Sequence, residues 1–109
     1  MNMTKWTIDQ NERKEPPMTA LKPRHRMAVL EEAGNLITGD REQSYGAPYD
    51  NFTNIAQRWS QTVGITIEPW QVALMMADLK IARMATTRRP HDDSFVDIAG
   101  YSALASELS

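Results

Sequence analysis

From Arg24 onward, runs with an apolar residue every three to four positions alternate with short polar breaks, and each run predicts an amphipathic helix. The first spans about Arg24 to Thr38 on Met27, Leu30, Ala33, Leu36 and Ile37, with Glu31 and Glu32 in its middle and Gly39 as its stop. The segment GDREQSYGAPYDN, Gly39 to Asn51, is too rich in glycine, proline and serine for a regular element and predicts a loop. Asp50 then reads as the N-cap of a second helix with the stripe Phe52, Ile55, Ala56, Trp59 and Val63, ended by Gly64.

A third helix begins near Thr66, with Pro69 in its first turn where a missing N–H costs little. Between Val72 and Ala85 every residue except Asp78, Lys80 and Arg83 is apolar, which predicts a helix buried on nearly all sides. At about 100° per residue, Lys80 and Arg83 share a flank and Asp78 lies nearly opposite Lys80. After the Arg88-Arg89-Pro90 break, Asp92 reads as the N-cap of a fourth helix. Asp93, Asp97 and Tyr101 fall on one stripe of it, Val96, Ala99 and Ala103 on the next, toward the core. Gly100 inside that helix predicts close approach of another backbone. No strand pattern occurs. The fold class is all-α: a four-helix bundle-like domain over residues 23–109, with residues 1–22 as an extended or disordered arm.

Composition narrows the function classes. A chain of 109 residues makes one domain, and its net charge of −2 gives no global argument for nucleic-acid binding. The absence of cysteine excludes disulfides, thiolate metal sites and thiol nucleophiles. No apolar run is long enough for a membrane span and the N-terminus lacks a secretory h-region, so a cytoplasmic protein is the expectation. The basic, proline-containing arm carries Trp6 and Ile8, either as a solvated tail or as a segment packing on a neighbouring subunit. A four-helix chain of this size has little core of its own, which points to a homo-oligomer.

The chemistry candidates are the charged residues of the last two helices. Asp93 and Asp97, one turn apart, repel unless a cation lies between them. Mg²⁺ or Mn²⁺ satisfies hard oxygen ligands, and a lysine or arginine from the next helix satisfies them equally. Asp78 and one of Glu31 or Glu32 are further candidate metal ligands. Lys80, Arg83 and Arg41 supply the positive side chains that phosphates require, and Tyr45 and Tyr49 could stack on a base. Arg88 and Arg89 are explained as well by the preference for cations at a helix C-terminus. No phosphate loop and no Ser-His-Asp arrangement is present.

The stretches MMADLKIARMATT and HDDSFVDIAGYSALA resemble the all-α nucleoside triphosphate pyrophosphohydrolases of the MazG-like kind. The segments RxxSYGAPxxNF and DDSxxDIAGYxAL are more similar still to a group of small phage-encoded proteins of unknown function. The resemblance implies an oligomeric helical bundle with Mg²⁺-bound acids that split a (d)NTP into a monophosphate and pyrophosphate. Within the family pattern ExxDxxxY, Asp97 and Tyr101 match, Ser94 stands in the Glu position with Asp93 just before it, and the companion EExxE is missing from the third helix. On this reading Asp93, Asp97, Asp78 and Glu31 or Glu32 hold the metal. Asp97, Asp93 and Lys80 are the catalytic set, and Arg83, Arg41, Tyr45 and Tyr101 contact a nucleotide. Two other readings remain open: a protein that binds a nucleotide or cyclic nucleotide without cleaving it, and a helical interaction module whose charged residues are ordinary inter-helix pairs.

Overall fold

The computed structural model describes residues 25–40, 43–44, 46–88 and 92–109. The predicted arm, residues 1–22, and the candidates Arg41 and Tyr45 lie outside them.

Four α-helices carry the described chain: α1, Arg26–Asn35; α2, Pro48–Val63; α3, Pro69–Thr87; and α4, Asp92–Leu108. No strand occurs among the described residues. The boundaries follow local chemistry. His25 caps α1 by accepting the Met27 backbone N–H on Nδ1 at 3.1 Å, so the helix opens two residues later than its pattern predicts. Gly39 does not stop the chain; α1 passes into a π-helical turn, Leu36–Asp40. The second helix begins at Pro48 with Ala47 as N-cap, and Asp50 sits in its first turn instead of capping it. Gly64 ends α2 in the left-handed region, φ 79°, and donates its N–H to the Ser60 carbonyl. Glu68 caps α3 in a reciprocal box with Gln71, with Pro69 in the first turn. Asp92 is the first residue of α4 and not its cap.

The fourth helix is the hub. It packs most extensively on α3 and also touches α1, α2 and the π-helical turn, whereas α2 packs mainly on α3. Phe52 and Ala56 of α2, Val72, Ala73, Met76 and Ala77 of α3, and Tyr101, Leu104 and Ala105 of α4 form the core. The inward stripe of α4 therefore runs through Val96, Asp97, Gly100, Tyr101 and Leu104, while Ala103 is exposed. That corrects the predicted Val96–Ala99–Ala103 stripe by one position's rotation. Gly100 does admit a close neighbour, but it is a side chain and not a backbone: a Cβ at this position would lie 3.0 Å from Cγ2 of Ile37.

The third helix is not buried on nearly all sides. Leu74, Met75 and Ile81 are 42%, 43% and 48% exposed, and Asp78 shares their outward face. The apolar run covers two sides, one meeting α2 and α4 and one meeting solvent.

Candidate functional site

The chemically distinctive feature of the fold is a charged seam between α3 and α4. Lys80 projects from α3 with no exposure at all, and its Nζ stands 3.3 Å from Oδ2 of Asp97 on α4. Asp97 is itself buried. An ammonium and a carboxylate taken out of water each cost several kcal/mol, and their attraction in the interior offsets that cost only at close range. The pair thus fixes the facing of α3 on α4: a shift or a helix rotation would leave an uncompensated charge in the core.

Ser94 completes the seam. It precedes Asp97 by three residues, which sets the two on one face of α4. Its side chain is fully buried, and among the described residues its Oγ has no hydrogen-bond partner. A buried hydroxyl without a partner costs about 1–3 kcal/mol. Tyr101, one turn beyond Asp97, is buried in the same helix stripe and belongs to the core.

The predicted site residues divide sharply. Lys80 and Asp97 meet in the interior, and Tyr101 is buried one turn beyond Asp97. Asp93 is half-buried at the start of α4, and Arg83 is half-buried on α3. Asp78 faces solvent on the far side of α3, as its angular distance from Lys80 requires, and so does not join Asp97. On α1, Glu31 is exposed and Glu32, beside the buried Ala33, is half-buried. Among the described residues no three acidic or histidine side chains gather into a set that could hold a metal ion. The carboxylate best placed to be a ligand, Asp97, instead meets the Lys80 ammonium.

A separate open groove of about 450 Å³ lies along α2 and the turn into α3, lined by residues including Tyr49, Thr53, Gln57, Ser60, Gln61 and Glu68. Tyr49 is 66% exposed at this groove. Among the described residues Thr53 Oγ1 is buried without a partner, whereas Ser60 Oγ is committed, donating to the Ala56 carbonyl and accepting the Ile67 N–H. The lining offers hydroxyls and amides but no cation, and Glu68 is its charged member. It is thus poorly suited to phosphate.

Ser94 is the site residue that composition-based reasoning passed over. Its signal was positional: a small polar residue one turn before an aspartate, on an otherwise apolar helix face.

The chain matches, over residues 28–109, a family described as Domain of unknown function (DUF6378). It is similar to the "Gene 55 protein" of Mycobacterium phage D29, 41% identical over 81 residues that make up 74% of this chain and 53% of the relative. The "Gene 55 protein" of Mycobacterium phage L5 is 39% identical over 83 residues, 75% of this chain and 53% of the relative. The chain thus spans about half the length of these curated phage relatives. No solved structure matches it. Among the described residues no helix is long and apolar enough to cross a membrane.

Proposed function

The chain belongs to the DUF6378 domain family, and from that premise we propose that it is a helical interaction module, in which the α3–α4 ion pair organises one surface for association. The observation that carries this reading is the closed Lys80–Asp97 contact, buried at both ends. A lysine that neutralises phosphate in a ligand needs access to solvent; one with no exposure, held against an aspartate, is part of the scaffold. The outward side supports the same reading. Leu74, Met75 and Ile81 on α3, Met27 and Leu30 on α1 and Phe95 on α4 leave large apolar side chains in water. Of these, Leu74, Met75 and Ile81 share the outward face of α3, and exposed apolar residues on one helix face suit association.

The test compares folding with ligand response. Reversing Lys80 to Glu places two carboxylates together in the core and is expected to abolish cooperative thermal unfolding. The wild-type melting temperature is expected to stay within about 1 °C on adding millimolar (d)NTP with Mg²⁺. A Lys80→Glu protein that keeps the native circular dichroism spectrum and melting temperature overturns the reading.

A second reading, nucleotide hydrolysis of the MazG-like kind on a divalent cation, draws on one feature. Asp93 is half-buried one turn before Asp97, and Glu32 is half-buried on α1, a helix that packs against α4. Release of pyrophosphate from a (d)NTP by the wild type, lost in a folded Asp93→Asn variant, is the result that would favour it over the interaction reading.

A further inference from the structure

One row of α2 is exposed or half-buried and yet carries no charge. Tyr49, Thr53, Gln57 and Gln61 follow one another at spacings of four, which makes a single ridge along the helix. In a chain with 24% charged residues the outer face of a helix ordinarily holds several of them. This ridge instead lines the groove of about 450 Å³, a size that suits a small organic ligand, and the turn into α3 completes the lining.

The groove is held in shape by its own bonds. Ser60 ties the turn to α2, accepting the Ile67 N–H at 2.8 Å and donating to the Ala56 carbonyl at 2.6 Å. The Glu68 N–H donates to Oε1 of Gln71 at 2.9 Å within the α3 cap. A preformed lining lowers the ordering cost of binding. Thr53 adds an unsatisfied hydroxyl. Thr38, Ser60, Thr62 and Thr87 each donate to the carbonyl four residues back, whereas among the described residues the buried Thr53 Oγ1 has no partner.

The chemistry of the lining selects the ligand. Amides and hydroxyls both donate and accept, the Glu68 carboxylate accepts, and no cation is present to hold an anion. Tyr49, 66% exposed, offers an open ring face. A sugar ring matches each of these. Its neighbouring hydroxyls donate and accept, and its face of C–H bonds packs on an aromatic ring. We propose that this groove binds a neutral sugar, with its C–H face on Tyr49 and its hydroxyls shared among Thr53, Gln57, Gln61 and the Glu68 carboxylate. The site uses none of the residues of the α3–α4 seam, so it stands or falls apart from the interaction reading.

Titrating the isotope-labelled full chain with maltose and with cellobiose, the two linkage forms of a glucose disaccharide, tests this by amide NMR. At least one is expected to shift the Gln57 and Gln61 side-chain amide resonances saturably, with a dissociation constant of about 0.1–10 mM. Tyr49→Ala is expected to weaken that binding about tenfold and Gln57→Ala about fivefold. Both side chains are exposed, so the helical spectrum and melting temperature of the unliganded variants are expected to match the wild type. The hexasaccharide of the same linkage identifies the source of the sugar. Higher affinity than the disaccharide assigns the groove to units within a polysaccharide, and equal or lower affinity assigns it to a free sugar. The absence of saturable shifts up to about 50 mM of either disaccharide overturns the proposal. So does binding that folded Tyr49→Ala and Gln57→Ala both leave unchanged, or saturation of the same resonances by adenosine and by neither sugar.

Discussion

Lys80 and Asp97 stabilise the fold only as a pair, and that makes their single and double substitutions informative. Lys80→Met keeps the aliphatic stem but leaves Asp97 facing an apolar interior, and a buried pair broken from one side costs about 3–5 kcal/mol. Lys80→Met/Asp97→Leu removes both charges and fills similar volume, and is expected to recover most of that loss in urea unfolding. A double variant no better than Lys80→Met would mean that Asp97 has work beyond neutralising Lys80. Ser94 gives the opposite sign. Ser94→Ala deletes a hydroxyl that has no partner and inserts the best helix former, so stability is expected to hold or rise by about 1 kcal/mol. A loss of more than about 1 kcal/mol in the same assay would show that the hydroxyl is bonded in solution. These residues were only half legible in the sequence. The spacing of Asp93, Asp97 and Tyr101 gave their common stripe, and burial of an ionised lysine demanded a partner. Whether that partner was metal, phosphate or carboxylate depended on the rotation of α3 against α4, which no periodicity within one helix records.

Helix existence was legible along most of the chain, because a three-to-four rhythm persists over several turns wherever a face is buried. Helix ends were less so, since the caps that decide them are local. Asp50 has the right chemistry for an N-cap, but Pro48 is already compatible with the first turn and the helix starts there, leaving Asp50 to interact with the N-terminal dipole. The apolar wealth of α3 was misleading in one respect: only one of its faces is buried, and Leu74, Met75 and Ile81 on the other stay exposed. Gly100 tests element packing directly. Alanine there gains about 1 kcal/mol of helix propensity, yet its Cβ would press on Ile37 Cγ2, which is β-branched and stiff. Gly100→Ala is therefore expected to be destabilising in the wild type and clearly less so in an Ile37→Ala background. The coupling expected is about 1 kcal/mol across the double-mutant cycle. Additive effects would mean that α1 and its π-helical turn are not seated on α4 as described.

Among the described residues the core is small for the surface they expose. Alanine supplies much of that core, and Leu74, Met75 and Ile81 remain in solvent. A small, alanine-rich core leaves limited stability within one chain, so any apolar surface covered by association adds directly to the folded state. This has a consequence that spectroscopy can read without knowing the partner's geometry. If the partner is a second copy of the chain, the two must separate as they unfold, and mass action makes the melting temperature rise with protein concentration. A tenfold increase stabilises the pair by about 1.4 kcal/mol. Spread over the unfolding entropy of two chains, that is about 2–4 °C per decade. Wild-type protein followed at 222 nm from about 2 to 200 µM is expected to show this slope, and Ile81→Glu is expected to melt at one temperature throughout and below the wild type. The Ser94→Ala variant should shift the whole line upward without changing its slope, because Ser94 lies inside one chain. A flat wild-type line would mean that the exposed face of α3 adds nothing to stability through self-association, and that the module stands on the α3–α4 seam alone.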